Sequence, residues 1–169
     1  MEDVKKLNLT RSIGVSNFNS SNINRILANS EIVPSVNEVE VNPTYTHLDL
    51  VAYCQNLSIT VLSYAPFGFM VPRPIAYNGT STFKEPILVK TAQKYGKTPS
   101  QIVLRYLIDL KTLPIPRSTN IGRIKSNIDL FDFRLTSEEI SLINELNEDV
   151  KVYNFDEESL DILFDYYGL

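Results

Sequence analysis

Short apolar runs typical of β-strands alternate along this chain with segments whose apolar residues recur at helical spacing. Parallel neighbouring strands need long crossover connections, which helices usually supply. The alternation therefore predicts consecutive βα units around a parallel sheet of four strands. We expect one α/β domain over residues 1–169, with an acidic, aromatic C-terminal tail at residues 153–169. The four runs are "RSIGVSNF", "PSVNEVEVNP", "SITVLSYAPFG" and "KTLPIP".

Sequence signals mark where the predicted helices begin and end. Thr98 with Gln101, and Thr136 with Glu139, have the spacing of capping boxes, and a proline follows Thr98 in the first turn. Further helices are predicted after Ser20 or Ser21, through Leu50 to Cys54, over Lys84–Tyr95, and within "STNIGRIKSNIDLF". The segment "FMVPRPIAYNGTSTF" is too long for a plain connection.

Composition narrows the classes of function. A hydrophobic content of 43% and a mean hydropathy of -0.09 are typical of a soluble protein, and no apolar run approaches the ~18 residues of a membrane span. A net charge of -4 argues against nucleic acid as a partner, because phosphate backbones require a clustered basic surface. The single cysteine, Cys54, cannot form an internal disulfide, and the N-terminus lacks an apolar signal-peptide core, so we expect a cytoplasmic protein.

Polar residues follow or end each predicted strand, at the edge where α/β folds bind their ligands. Serine and asparagine can hydrogen-bond a planar amide, tyrosine offers a ring for stacking, and arginine offers a forked cation for phosphate. These groups match the parts of a nicotinamide dinucleotide. The chain contains no Gly-x-Gly-x-x-Gly, so a Rossmann crevice is not expected. The four clusters are Ser16 with Asn17, Asn37 with Glu38, Tyr64, and Arg117 with Ser118.

Arg117 gives the sharpest signal for an anion. Three polar residues, 118–120, follow it at a predicted helix start, where backbone N–H groups and the helix dipole favour negative charge. Arg123 and Asn127 are four residues apart and share one face of that helix. Spacing alone leaves open that these are solvated surface charges. It also leaves open that Tyr64 is a core or rim tyrosine and that the serine and asparagine after the first strand form a plain turn.

Five segments, from about Lys5 to Tyr153, resemble the aldo-keto reductase family in order and spacing, with insect members most similar in overall look. The resemblance implies a (β/α)8 TIM-barrel oxidoreductase that uses NADP(H) to reduce a small aldehyde or ketone to an alcohol. This chain then corresponds to barrel strands five to eight, as a partial barrel. Phosphate sites in such barrels commonly follow strands seven and eight, where Arg117 falls. The segments are "RSIGVSNF", "NEVEVNP", "LSYAPFG", "KTPSQIVLRY" and "IPRSTNIGRIKSN".

The resemblance also implies roles for particular residues. The carboxamide of the nicotinamide is expected to bind Ser16, Asn17 and Glu38, with Tyr64 stacked on the ring. The 2′-phosphate end is expected to bind Arg117, Ser118, Thr119 and Arg123, with Asn127 near the adenine.

Three positions depart from the family pattern. Arg117 stands where lysine is common, and its planar guanidinium still suits a phosphate. Glu38 stands where glutamine is usual, and a carboxylate only accepts hydrogen bonds, so reduced nicotinamide affinity is expected. Asn42 replaces a common histidine.

The resemblance places the family's catalytic aspartate, tyrosine, lysine and histidine in the first barrel half, ahead of this chain. We therefore expect no catalytic residue and no metal site here, and little or no reductase activity from this polypeptide by itself. His47, the only histidine, is expected to be solvated or to cap a helix. Two alternatives remain. One is a non-catalytic module that binds dinucleotide or self-associates through its open sheet edges, and the other is a flavodoxin-like open sheet with an unrelated ligand.

Overall fold

Within residues 1–73 and 82–153, four parallel strands form one sheet in the order β1-β2-β3-β4, in agreement with the predicted number and direction. The computed structural model describes residues 1–73 and 82–153. Parts of the predicted long loop and nearly all of the predicted tail lie outside these residues. The strands are β1 (Val15–Ser16), β2 (Val36–Glu40), β3 (Thr60–Tyr64) and β4 (Leu113–Pro114).

Helices connect the strands in the expected order, and one short N-terminal helix was not predicted. That helix, α1 (Glu2–Lys6), is held by the Glu2 side chain, which accepts hydrogen bonds from the N–H groups of Glu31 and Ile32 at 2.8 Å each. The others are α2 (Ser20–Asn29), α3 (Leu48–Asn56), α4 (Pro86–Tyr95), α5 (Pro99–Asp109), α6 (Ile121–Ile128) and α7 (Ser137–Asn144), with a 3₁₀ turn at Gly68–Met70.

Both predicted capping boxes are present, at the start of α5 and of α7. The predicted cap of α2 is wrong, because Asn19, rather than Ser20 or Ser21, accepts the hydrogen bond from the Asn22 N–H at 2.8 Å. The backbone is still extended at Asn19 and already helical at Ser20, and the cap belongs to the last extended residue. Helix α4 begins at Pro86 instead of Lys84 and ends, as predicted, before Gly96.

The two faces of the sheet have different characters. Val39 and Val61 point to the helices and lie in the apolar core, which also contains Cys54. The alternate residues of β2 and β3 point to the opposite face, where Glu40 is the cross-strand neighbour of Tyr64. The helix layer is anchored by α5, whose residues from Gln101 to Leu107 are all buried. Glu38, Glu40 and Tyr64 are thus placed on the face that α2 to α5 leave uncovered.

A buried ion pair on α5 holds the segment that follows α6. The Arg105 and Asp109 side chains are 8% and 4% exposed, and the Arg105 Nη2 lies 2.7 Å from the Asp109 Oδ1. Arg105 also donates to the Leu130 carbonyl at 2.9 Å, and Asp109 accepts from the Leu135 N–H at 2.9 Å. These bonds fix the chain between α6 and α7, and so the outer end of α6.

The edge of the sheet at β4 is apolar and exposed. Helix α6 buries none of its residues, and its three isoleucines, Ile121, Ile124 and Ile128, are 72%, 51% and 68% exposed. Leu113 on β4 is 52% exposed. Among the helices that the structure describes, none has the length and apolarity of a membrane span.

Candidate functional site

A cavity of about 820 Å³ lies between the loop after β3 and the segment formed by residues 117–120 and α6. Its volume falls within the ~300–1,000 Å³ that small-molecule sites usually have. All five residues predicted for the 2′-phosphate and adenine line it. They are Arg117, Ser118, Thr119, Arg123 and Asn127.

Local hydrogen bonds at the start of α6 place these side chains. Asn120 caps the helix, with its Oδ1 accepting from the Arg123 N–H at 3.0 Å, and the Ser118 Oγ accepts from the Asn120 N–H at 3.1 Å. Arg123 and Asn127 then follow one helical turn apart and both face the cavity. One of the backbone donors that the sequence assigned to an anion is therefore used by the cap. The two arginines and the hydroxyl groups carry most of the site's capacity for an anion.

The other four predicted residues gather at the strand ends and do not line this cavity. The Ser16 Oγ and the Asn17 N–H both donate to the Glu38 carbonyl oxygen, at 2.9 Å each. The Tyr64 hydroxyl donates to the Asn17 Oδ1 at 3.0 Å. Burial raises the pKa of Tyr64 far above its ordinary value, so its hydroxyl remains a donor. The Asn17 amide is fixed at the carboxyl edge of the sheet.

Asn37, which the sequence grouped with Glu38, points the other way. Its Nδ2 donates to the Phe18 carbonyl at 2.8 Å, and its side chain is fully buried beside Cys54 of α3. The alternation of a strand explains the difference, since neighbouring residues face opposite sides of the sheet. Asn37 therefore shapes the turn after β1 and is not part of the strand-end cluster.

Glu40 is a functional candidate that the sequence did not single out. Its side chain is buried, with the residue 2% exposed, and its carboxylate accepts from the N–H groups of Val152 and Tyr153 at 2.8 and 3.1 Å. The Asn42 Nδ2 donates to it as well, at 3.1 Å. Burial raises the pKa of Glu40, and these hydrogen bonds and the charge of Arg73 oppose that rise. The carboxylate ties residues 152–153 to the end of β2.

Tyr153 and Arg73 complete the cavity wall and were also missed. The Tyr153 ring meets the Tyr64 ring edge-on, with centroids 5.9 Å apart at 62°. Arg73 donates from Nη1 to the Tyr153 hydroxyl at 3.3 Å and from Nε to the Gly68 carbonyl at 3.0 Å. An arginine in a proline-rich loop and the first residue of the predicted tail carry no periodic signal, so nothing in the sequence pattern points to them.

Asn42, which stands where histidine is common in the family, organises the loop after β2. The Asn42 Oδ1 accepts from the N–H groups of Thr44 and Tyr45 and from the Thr44 hydroxyl, at 3.0, 3.0 and 2.8 Å. The side chain therefore organises this turn. Its Nδ2 donates to the Glu40 carboxylate, which links this turn to Glu40.

His47 occupies the N-cap position of α3, which agrees with the prediction of a helix cap, but its side chain does not do the capping. The residue precedes α3 with a φ of 48°, but its side chain makes no capping hydrogen bond and is half-buried. Its Nε2 lies 3.3 Å from the Tyr45 hydroxyl, and its Nδ1 is buried without a partner among the described residues. Burial, and next the charge of Lys151, lower the pKa of His47. The ring packs against Tyr45 with centroids 4.7 Å apart, so the side chain contributes packing rather than a capping hydrogen bond.

Sequence comparisons identify the family. A parallel α/β sheet with a cavity at its carboxyl edge occurs both in (β/α)8 barrels and in open α/β sheets. The family and structure matches identify the (β/α)8 family. The Aldo/keto reductase family model matches residues 1–148. Aldo-keto reductase AKR2E4 of Bombyx mori is 51% identical over 152 residues, which cover 90% of this chain and 49% of that protein. Aldo-keto reductase family 1 member A1-A of Danio rerio is 37% identical over 148 residues, which cover 87% and 45%.

Solved structures give the same result. The crystal structure of Bombyx mori AKR2E4 in complex with NADP has a TM-score of 0.89 at 50% identity, covering 92% of this chain and 50% of that one. The structure of aldo-keto reductase AKR2E5 complexed with NADPH has a TM-score of 0.86 at 36% identity, covering 90% and 47%. This chain belongs to the aldo/keto reductase family. It spans about half the length of the curated relatives it matches.

Proposed function

We propose that residues 1–169 are a single domain that supplies the NADP(H)-binding half of an aldo-keto reductase, corresponding to barrel strands five to eight. The whole enzyme would be an oxidoreductase that reduces a small aldehyde or ketone to an alcohol. The observation that carries the proposal is the cavity in which all five candidate residues for the 2′-phosphate and adenine converge. The NADP and NADPH complexes of the relatives support the same cofactor.

The phosphate end of the cofactor would bind at the start of α6. Arg117 and Arg123 supply guanidinium groups, which bind phosphate oxygens through paired N–H donors. Ser118 and Thr119 add hydroxyl donors on the same wall of the cavity, and Asn127 lies one turn further along for the adenine. This set fits a 2′-phosphate, which carries charge that NADH lacks.

The nicotinamide end would bind at the strand-end cluster. The Tyr64 hydroxyl occupies the Asn17 Oδ1, so the Asn17 Nδ2 would donate to the carboxamide oxygen. Ser16 would add a second contact, and the Glu38 carboxylate would accept from the carboxamide NH2. Tyr64 would stack on the ring. The Glu38 carboxylate cannot donate a hydrogen bond to the carboxamide oxygen. We therefore still expect weakened nicotinamide binding.

We assign no catalytic residue to this chain. Hydride transfer to a carbonyl requires an acid that protonates the developing alkoxide. The resemblance places that acid and its partners in the other half of the barrel. The 169-residue polypeptide is therefore expected to bind NADPH and to show little or no turnover. Oxidation of NADPH with a broad aldehyde panel measures this, and a rate of about 1 s⁻¹ or more contradicts it.

Titration of the polypeptide with NADPH, followed by cofactor fluorescence, tests the binding site. Arg117→Ala is expected to weaken NADPH binding by about ten- to a hundredfold and to leave NADH binding unchanged, because it removes charge-assisted bonds to the 2′-phosphate. Lys125→Ala is a matched control, since Lys125 is an exposed cation of α6 that does not line the cavity. Equal loss in both variants, or no binding by the unaltered chain, refutes the proposal.

The exposed edge at β4 favours a second function, self-association. Barrels of this class close with about eight strands, and two copies of four strands supply that number. Leu113 and the isoleucines of α6 would then be covered by the β1 edge of a second copy. Sedimentation at micromolar concentration is expected to show a dimer that Ile124→Glu dissociates. A folded monomer of the unaltered chain refutes this function.

A further inference from the structure

Glu40 is a buried carboxylate, a group that is rarely found out of contact with water. Removing a carboxylate from water costs several kcal/mol unless hydrogen bonds compensate it, which constrains where its partners lie. Glu40 receives three N–H donors, two of them from backbone groups 112 and 113 residues further along the chain. Both oxygens are used, since Oε1 accepts from Val152 and Asn42 and Oε2 accepts from Tyr153. The geometry fixes the backbone of residues 152–153 rather than a single side chain.

The register of the sheet determines what this anchor accomplishes. Glu40 and Tyr64 are direct neighbours on β2 and β3 and point to the same face. A backbone segment held by Glu40 therefore lies beside Tyr64, and the Tyr153 ring reaches the Tyr64 ring at 5.9 Å. The two planes are inclined at 62°, so the rings form a corner rather than a stack.

Arg73 holds the same tyrosine from its other end. It donates to the Tyr153 hydroxyl at 3.3 Å, and its guanidinium carbon lies 5.8 Å from the ring centroid. Glu40 therefore fixes the backbone of Tyr153, and Arg73 fixes its hydroxyl group. Fixing a ring before a ligand arrives removes the entropy cost of ordering it on binding.

The cavity connects this corner to the phosphate residues. Tyr153 lines the cavity together with Arg117, and so do Ala65 and Pro66, which directly follow Tyr64. A dinucleotide with its phosphate end at Arg117 can therefore place its other end at the two tyrosines.

We propose that Tyr153 is a nicotinamide-binding residue, that it forms with Tyr64 an aromatic corner around the reduced ring, and that Glu40 is the positioning residue that holds it there. The inference rests on the proposed NADP(H) function and adds to it a binding residue outside the set carried over from the family. Glu40 touches no cofactor and acts only through the 152–153 segment. The corner shields one edge of the nicotinamide from water.

The test separates the two ends of the cofactor in the full 169-residue chain. The emission of bound NADPH reports how well the nicotinamide is shielded from water, and adenosine 2′,5′-bisphosphate reports the phosphate end alone. Tyr153→Ala is expected to lower the emission, to weaken NADPH about three- to tenfold, and to leave the bisphosphate affinity unchanged. Tyr153→Phe keeps the ring and is expected to retain most of the emission. Tyr53→Ala is the matched control, because Tyr53 is a half-buried tyrosine of α3 that packs against the core and does not line the cavity.

Glu40→Gln tests the positioning role, because an amide NH2 opposes the N–H donors that the carboxylate accepts. It is expected to lower the emission as Tyr153→Ala does, and to add no further loss when the two changes are combined. Circular dichroism checks that each variant is folded, and the tyrosine variants decide the question if Glu40→Gln does not fold.

Three results overturn the inference. Unchanged emission in Tyr153→Ala overturns it and leaves the proposed function standing. Equal loss of NADPH and of adenosine 2′,5′-bisphosphate in that variant also overturns it, since Tyr153 would then act on the fold. Failure of the unaltered chain to bind either ligand refutes the proposed function, and the inference with it.

Discussion

Replacing Gly68 by alanine is expected to destabilise the protein by about 3–4 kcal/mol. Gly68 has a φ of +50°, and a Cβ there would lie 2.5 Å from the Asn42 Oδ1 and 2.9 Å from the Thr44 Oγ1. The left-handed backbone alone costs an alanine about 1 kcal/mol. Displacing the Asn42 Oδ1 disturbs three hydrogen bonds, from two N–H groups and one hydroxyl. At about 1 kcal/mol net for each bond, the loss of two or three adds roughly 2–3 kcal/mol.

Gly96 provides a matched control for this change. Its φ is +65°, close to that of Gly68, but a Cβ at Gly96 meets nothing within 4 Å. Gly96→Ala is therefore expected to cost only the backbone contribution of about 1 kcal/mol. Urea unfolding followed by circular dichroism gives both free energies, and their difference isolates the contact with Asn42.

The same substitution also reaches the site. Asn42 donates to Glu40, and the Gly68 carbonyl accepts from Arg73, so a displaced turn loosens both groups that hold Tyr153. Folded Gly68→Ala is expected to show lower emission from bound NADPH than Gly96→Ala does. Equal stability losses in the two variants refute the reasoning, because the Asn42 turn would then yield to a methyl group without cost.

Three further changes have defined outcomes. Asp109→Asn leaves the buried Arg105 guanidinium without its carboxylate and is expected to lower the free energy of unfolding by about 3–5 kcal/mol in urea, so a loss below about 1 kcal/mol contradicts it. Burial lowers the pKa of His47, so the unfolded state binds its proton more readily and stability falls as pH drops below the ordinary value of 6.5. His47→Asn is expected to flatten this decline between about pH 7 and 5 in thermal unfolding, and an unchanged slope contradicts it. Glu38→Gln is expected to raise NADPH affinity about fivefold, since the amide can also donate to the carboxamide oxygen, and to leave the affinity for adenosine 2′,5′-bisphosphate unchanged. No gain in NADPH affinity contradicts this prediction.

Much of the fold could be predicted because its signals are local. The strands follow from short apolar runs, and the boxes at Thr98 and Thr136 depend on groups three residues apart. The cap of α2 could not be fixed, because Asn19 and the two serines after it are all good caps and only the backbone angles decide among them.

The site residues also divide into those that local sequence signals predict and those that depend on long-range contacts. Arg117 lies just before α6 and Asn127 lies within it, so they are close in sequence, and the structure places both on one cavity. The link between Glu40 and Tyr153 spans 113 residues and depends on how the chain returns after α7. No periodicity or motif encodes that return. Alternation does predict that Glu40 shares a face with Glu38, but it does not predict that Glu40 is buried.

Isothermal titration calorimetry with adenosine 2′,5′-bisphosphate and with AMP measures how much the 2′-phosphate contributes to affinity in ligands that lack the nicotinamide. The two ligands differ by the 2′-phosphate alone, which is the group assigned to Arg117 and Arg123. Binding of the bisphosphate is expected to be at least about tenfold tighter than binding of AMP, and Arg117→Ala is expected to abolish most of that difference. Equal affinity for the two ligands, or a preference that survives Arg117→Ala, would show that the cavity beside α6 is not the phosphate site.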